Sequence, residues 1–277
     1  MKVACLIYFF GKRYQEIGKL ALKSFKEHNP GVDLYHVNEE NGHLYDAVKY
    51  LKSVGHGALK YMLAAEIMKK KAYDKIIILG ADTITCARLD EFLNDNKNDI
   101  LATLDYPYQL FSGPLQLSPD SETHLNADVV CFNNIKPIIS IIKNVKRFPI
   151  YAEQGALNYV VWSGKYDYSV NVVDGPYTES SVVYNARAKG NICAKAGEKP
   201  WGPYTNKFYV DDSRLFTGDG KQIKVWHYCE GFGAIDENQF IDLMNKWIFE
   251  WFNKETKEFF KKNCSSGNFF EREFSLN

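Results

Sequence analysis

Residues 73–85 read YDKIIILGADTIT, and this stretch holds the clearest strand pattern of the chain. The unbroken apolar run at its centre predicts a strand over 74–79 that is buried on both faces, as a central strand of a parallel sheet must be. Gly80 and Asp82 come directly after this predicted strand. Ligands of open parallel sheets bind at the carboxyl ends of the strands, so Asp82 is a candidate binding residue, although a helix cap or an ordinary loop residue is the alternative.

The flanking sequence alternates strand and helix patterns, which predicts an α/β fold with a mainly parallel sheet flanked by helices. Residues 38–57 are polar and predict a loop, GDGKQ at 218–222 predicts a hairpin turn, and residues 167–225 predict short strands and turns. Strand patterns cover 3–9, 32–37, 74–79, 99–105 and 127–133, and helix patterns cover the segment after Gly11, 58–71, 87–93, 135–145 and 153–162. One domain is expected over 1–235, with an amphipathic helix over 236–262 and a tail packed on it as a C-terminal extension, 236–277.

The composition argues against several classes of protein. Lys and Arg together number 34, as do Asp and Glu, so a formal net charge of zero gives no indication of nucleic-acid binding. The six scattered cysteines are typical of reduced thiols, and no apolar run approaches the ~20 residues of a membrane span. A cytoplasmic protein without a transmembrane segment is expected.

The chain lacks the common phosphate-binding and hydrolase motifs. It has no G-x-x-x-x-G-K-[ST], no G-x-G-x-x-G after the first strand, no G-x-S-x-G and no H-E-x-x-H. Their absence argues against P-loop ATPases, classical dehydrogenases, α/β-hydrolases and zincins.

Five segments, in this order, resemble the GT-A nucleotide-sugar transferases. They read VACLIYF…ALKSFKEHNP, ALKYMLAAEIM…YDKIIILGADT, LNADVVCFNN, EQGALN and WHYC. The closest resemblance, over roughly residues 2–235, is to glycosyltransferase family 8, which includes glycogenin and the bacterial lipopolysaccharide galactosyltransferases. It implies a GT-A fold and transfer of a hexose or related sugar from a UDP-sugar, such as UDP-glucose, to a hydroxyl of a carbohydrate or protein-linked acceptor. It also implies retention of anomeric configuration and assistance by Mn²⁺ or Mg²⁺.

The resemblance implies a metal site with one ligand missing. Asp82 matches the second Asp of the family's D-x-D motif, whereas Gly80 stands where the first should be, and His227 matches a further metal ligand. A Gly-x-x-Lys-Pro-Trp segment follows that His in the family, and EGFGAI replaces it here. Three outcomes are open: a metal held by Asp82, His227 and the donor diphosphate; a metal-free enzyme that uses a basic residue such as Lys60 or Lys195; or nucleotide-sugar binding without turnover.

Other matches implied by the resemblance concern donor binding. Tyr8 lies where the family holds the uracil ring, Phe9 follows it, and Ala81 belongs with Asp82 to the D-x-D segment. Lys60 corresponds to a basic residue that reaches the donor phosphate or the metal-site carboxylates, with an exposed helix lysine as the alternative.

A last group of matches implies roles around the transferred sugar. Asp105 matches an Asp that contacts donor and acceptor sugars, and Asn126 matches an Asn that faces the donor sugar. Glu153 and Gln154 match an Asp-Gln pair, in which the acid binds sugar hydroxyls and the Gln lies near the anomeric carbon. We expect Asp105 and Gln154 to position groups rather than to attack. Asp128 stands where the family usually has Gly.

Two other functions remain open. One is a catalytically weak or inactive GT-A module that binds nucleotide sugar as a scaffold subunit. The other is a nucleotidyltransferase, which would need a G-x-G-T-R-L-like segment that YFFGKRY at 8–14 matches poorly. The helix with Trp247 and Trp251 could pack on the core, form a homodimer or contact a membrane surface.

Overall fold

The computed structural model describes residues 1–104, 124–148, 152–173, 181–185, 208–212, 214–217 and 220–227. The elements are β1 (Val3–Tyr8), α1 (Lys12–His28), β2 (Asp33–Val37), α2 (Leu51–Lys71), β3 (Lys75–Leu79), β4 (Thr83–Thr85), α3 (Asp90–Asn94), β5 (Ile100–Leu104), β6 (Leu125–Phe132), α4 (Ile135–Asn144), α5 (Ala152–Trp162), β7 (Val170–Val172), β8 (Ser181–Asn185), β9 (Phe208–Asp211), β10 (Arg214–Thr217) and β11 (Ile223–His227). They fall into two compact units. The first unit holds β1–β3, β5–β7 and α2–α5, and the second unit holds α1, β4 and β8–β11.

The first unit is built on a six-stranded sheet in the order β2-β1-β3-β6-β5-β7. Five strands run in one direction, and β6 runs antiparallel between β3 and β5. All five residues of β3 are buried, as the apolar run predicted. The predicted α/β class with a mainly parallel sheet is therefore confirmed.

The second unit contains two small sheets. In the three-stranded sheet β11 lies between β4, to which it is antiparallel, and β8, to which it is parallel. β9 and β10 form an antiparallel pair. α1 is tied to β4 because Ser24 Oγ accepts a hydrogen bond from the N–H of Thr85 at 3.1 Å.

The predicted loop over 38–57 is wrong in its last part. Two 3₁₀ turns, Gly42–Leu44 and Asp46–Tyr50, lead into α2, which begins at Leu51. Gly55 interrupts the helix with φ 76° and ψ 168°, a conformation that a residue with a side chain adopts only with strain. The last part of the predicted loop is thus a broken helix.

The other element predictions are close to the observed bounds. The helix predicted at 87–93 is the shorter α3. An antiparallel bridge joins Phe216 to Gln222, the last residue of the predicted turn at 218–222, and residues 218 and 219 lie outside the described ranges. Among the described residues Cys5, Cys86 and Cys131 are buried free thiols. Within those same ranges no helix has the length and apolar character needed to cross a membrane.

Several predictions fall on residues that the structure does not describe. These are the helix 236–262 with Trp247 and Trp251, the tail, the domain boundary at 235 and Lys195. The homodimer and the cytoplasmic location also stay predictions.

Asp95 supplies a test of the first unit through acid unfolding. Burial raises its pKa, but hydrogen bonds from the Asn171 and Asn98 side chains and from the N–H groups of Lys97 and Asn98 outweigh burial and lower the pKa to about 2. The folded value lies below the unfolded value of about 3.9, so this stabilisation is complete above pH ~4 and is lost as pH falls towards 2. We expect Asp95→Asn to flatten part of the fall in unfolding free energy between pH 5 and pH 2, measured by urea unfolding. The exposed Asp167→Asn is the control, and identical pH profiles for the two variants would contradict the assignment.

Candidate functional site

The end of β3 lies beside the start of β6, and this places Asp128 next to Gly80. Leu79 pairs with Val129, and the N–H of Gly80 donates to the carbonyl oxygen of Asp128 at 2.7 Å. Residues directly opposite each other in antiparallel strands point to the same face, with Cβ atoms about 5 Å apart. Asp128 therefore carries a carboxylate next to the position where a D-x-D motif would have its first one.

Lys60 is buried, and two carboxylates compensate its charge. Its side chain is 3% exposed, and Nζ lies 2.5 Å from Oδ1 of Asp128 and 3.9 Å from Oε1 of Glu153. A buried ammonium without such partners would be strongly unfavourable. The alternative of an exposed helix lysine is thus wrong for Lys60, which contacts carboxylates of the site instead.

These three side chains, Lys60, Asp128 and Glu153, form what we call the carboxylate cluster. The Asp128 and Glu153 side chains keep 39% and 24% exposure, so each still reaches solvent. Tyr61, next to Lys60 in α2, is fully buried, and its pKa is raised well above its usual range by burial and then by the charges of Glu153 and Asp128. Two carboxylates against one ammonium leave the cluster formally negative, which suits hydroxyl donors or a cation.

Both polar atoms of the Gln154 side-chain amide lie within hydrogen-bonding distance of a partner. Oε1 accepts a hydrogen bond from the N–H of Ala127 at 3.2 Å, so Nε2 is the donor and lies 3.1 Å from Nε2 of His124. The ring nitrogen that accepts this bond carries no proton, which places the proton of a neutral His124 on Nδ1. Gln154 is thereby held against the start of β6.

Asn126 shapes the strand that carries Asp128. It is buried, and its Oδ1 accepts from the N–H groups of Asp128 at 2.6 Å and Val129 at 3.2 Å. This side chain holds the backbone on either side of Asp128 in place. The predicted contact of Asn126 with a donor sugar stays a prediction.

The residues predicted to bind the nucleotide occupy different surroundings. The Tyr8 hydroxyl donates to the carbonyl oxygen of His56 at 2.6 Å, which ties the end of β1 to the first turn after the break in α2. Phe9 is buried, with its ring against Gly18 in the second unit, and Ala81 is also buried. Their contacts with a donor stay predictions, and Asp105 lies outside the described residues.

The second unit brings Asp82 and His227 together. His227 ends β11 opposite Thr83 of β4, and its Nε2 lies 3.2 Å from Oδ1 of Asp82. Two neighbouring ligands of an octahedral Mg²⁺-sized ion, at 2.0–2.1 Å each, are about 3 Å apart, so this spacing fits a shared cation. The described ranges contain no group of three or more His, Cys, Asp or Glu side chains that could hold a metal ion. The pair would need further ligands from a substrate, from water or from other parts of the chain.

Two residues of this region were not expected from the sequence. In the sequence, Asp128 is distinguished only as an acid at a position where the resembled family usually has Gly. The sequence does not indicate which residue its side chain contacts. His124 had no distinguishing pattern, because a single His before a strand is most often a core residue. Their contacts with Lys60 and Gln154 join elements that are distant in the chain.

Comparison with known proteins gives weak structural likenesses and no sequence match. No protein-family model matches the chain, and no curated protein matches it in sequence. A WbbM bifunctional glycosyltransferase is 16% identical over 94% of this chain and 51% of its own, with a TM-score of 0.46, so this chain spans about half of that protein's length. A galactosyltransferase LgtC in complex with donor and acceptor sugar analogs is 14% identical over 94% of this chain and all of its own (100%), with a TM-score of 0.45.

A glycosyltransferase involved in the glycosylation of the major capsid of PBCV-1 is 12% identical over 68% of this chain and 85% of its own, with a TM-score of 0.42. At these scores and identities the likenesses do not assign an activity to this chain.

We expect variants of the carboxylate cluster to differ in their free energy of unfolding, depending on which charge is removed. Asp128→Asn combined with Glu153→Gln leaves the Lys60 ammonium buried without a counter-charge, and we expect the unfolding free energy to fall by about 3 kcal/mol or more. Lys60→Met removes the buried charge and leaves two carboxylates that reach water, so we expect a loss of about 1 kcal/mol or less.

Urea unfolding at neutral pH measures both effects. Lys143→Met, at an exposed helix position, is the control and should stay within about 0.5 kcal/mol of wild type. A Lys60→Met variant less stable than the double carboxylate variant would contradict the account of the cluster.

Proposed function

We propose that this chain is a glycosyltransferase that moves a hexose or related sugar from a UDP-sugar to a hydroxyl acceptor, with retention of anomeric configuration and assistance by Mn²⁺ or Mg²⁺. The donor class and the stereochemistry come from the resemblance of its sequence motifs to glycosyltransferase family 8. The contacts of the described residues supply the physical support.

The proximity of Asp82 to His227 carries this proposal. The two residues were expected, from separate motifs, to be ligands of one cation, and they lie at 3.2 Å across β4 and β11. Carboxylate oxygen and imidazole nitrogen are both ligands that Mn²⁺ accepts. When bound, the ion would neutralise the charge that develops on a departing diphosphate.

The carboxylate cluster supports binding of a sugar. Asp128 and Glu153 each present carboxylate oxygens to solvent, and carboxylates form charge-assisted hydrogen bonds with hydroxyl donors. Lys60 fixes Asp128 directly at 2.5 Å. We assign to Asp128 and Glu153 the role of holding donor-sugar hydroxyls, and to Gln154, held by Ala127 and His124, the role of orienting the reacting groups.

The reaction that we propose breaks the bond between the anomeric carbon and the terminal diphosphate oxygen of the donor. The acceptor oxygen forms the new bond to the same carbon, and its proton passes to the departing phosphate. Retention then follows from attack on the face that the diphosphate leaves. Electrostatic stabilisation by preorganised groups lowers the barrier of such a step.

A nucleotide-sugar-binding scaffold without turnover is the second candidate, and one observation favours it. Position 80 has no side chain, and a site with fewer charged ligands binds a divalent cation more weakly. Under this alternative UDP-sugars bind but are not consumed.

Release of UDP from a panel of UDP-sugars, with and without Mn²⁺, tests the proposal. We expect turnover with at least one donor, and a loss of 100-fold or more in kcat/KM for Asp82→Ala and His227→Ala, because each removes a protein ligand of the cation. Asp167→Ala, at an exposed position, is the control and should keep wild-type turnover.

Calorimetric titration separates the two candidates. Binding of UDP-sugars without turnover for any donor and acceptor would favour the scaffold. Absence of binding of any uridine nucleotide would overturn the proposed function altogether.

A further inference from the structure

Gly57 occupies an ordinary helical position that a larger residue would fill more favourably. Its φ is not positive, in contrast to Gly55, so backbone conformation does not require glycine there. Glycine is less favourable than alanine in a helix, by about 1 kcal/mol in a helix interior and by less in a first turn. Some other constraint must account for a residue without a side chain at this position.

The constraint is space for the carboxylate of Glu153. A Cβ added to Gly57 would lie 2.7 Å from Oε1 of Glu153 and still closer to Oε2 and Cδ, which is less than real Cβ contacts allow. The Glu153 carboxylate thus lies directly against the backbone of α2. It reaches α2 from the first turn of α5.

Two features make this place favourable for a negative charge. Gly57 lies in the first turn of the helical segment that follows the break at Gly55, where unpaired N–H groups make the potential positive. Lys60 lies one turn further along, with its Nζ 3.9 Å from Oε1 of Glu153. Gly55, Gly57 and Lys60 together form what we call the carboxylate seat.

We propose that Gly57 is a positioning residue, which leaves the space that Glu153 needs to hold its carboxylate on the seat and turned towards the donor sugar. This inference rests on the proposed function, because it is the role of Glu153 in sugar binding that the seat serves.

Gly57→Ala tests the position of the Glu153 carboxylate without lowering the stability of the fold. The atoms that the new methyl group meets are the end of a flexible side chain, so the carboxylate moves away while the helix gains propensity. We expect a melting temperature no lower than that of wild type and a fall of 10-fold or more in kcat/KM for the UDP-sugar. The affinity for UDP alone should stay within twofold, because UDP lacks the sugar.

A shorter acid should remove the clash with a methyl group at position 57. Glu153→Asp in the wild-type background leaves the carboxylate short of the seat and should lower kcat/KM about 10-fold. Gly57→Ala combined with Glu153→Asp should be no worse than Glu153→Asp alone, because the shortened side chain no longer occupies the space that the methyl group fills. Gly31→Ala is the control, because a Cβ there meets nothing within 4 Å and its φ is not positive.

Failure of this inference is distinguishable from failure of the proposed function. Unchanged turnover in Gly57→Ala, or a double variant that is worse than both single variants, would overturn the role of Gly57. If the wild-type chain turns over no UDP-sugar, a crystal structure of Gly57→Ala still tests the seat. A Glu153 carboxylate that remains within 4 Å of Lys60 Nζ in that variant would overturn it.

Discussion

A buried ammonium must be compensated, and the charge of Lys60 imposes this requirement on the centre of the first unit. With 3% of its side chain exposed, Lys60 has lost nearly all contact with water, and the carboxylates of Asp128 and Glu153 replace that contact. These three residues belong to α2, β6 and α5. Their mutual attraction therefore fixes how a helix, a strand and a second helix converge at one edge of the sheet.

The reversed direction of β6 makes this convergence possible. A parallel strand presents its last residues at the carboxyl edge of the sheet, whereas β6 presents its first ones, and Asp128 is among them. The side chain of Asn126 holds the backbone there, and the N–H of Gly80 bonds to the carbonyl oxygen of Asp128. Gly80, which the resemblance matches to the first Asp of a D-x-D motif, thus has a carboxylate beside it on the next strand, and Lys60 pairs with that carboxylate.

The sequence predicted the parts of the molecule that depend on local pattern. The apolar run of β3 and the alternation of strands and helices led to the correct fold class. The resemblance to a known family, and no local pattern, implied that Asp82 and His227 share a metal ion, and the two side chains lie 3.2 Å apart. The burial of Lys60 could not be predicted, because a helix lysine is exposed in most sequences and its partners are far away in the chain.

The glycines of α2 show the same limit. The polar composition of residues 38–57 predicted a loop, and Gly55 and Gly57 lie in its last part. The structure separates their roles: Gly55 adopts a positive φ, whereas Gly57 is helical and provides space for a side chain from α5. Only a contact between distant residues distinguishes the two, and a single sequence contains no record of that contact.

A crystal structure of the chain with Mn²⁺ and a non-hydrolysable UDP-sugar tests the central claim most directly. We expect Mn²⁺ to be bound by Asp82 and His227 together with diphosphate oxygens, and sugar hydroxyls to lie within hydrogen-bonding distance of the Glu153 and Asp128 carboxylates. A nucleotide bound away from these residues, or a sugar that contacts neither carboxylate, would contradict it.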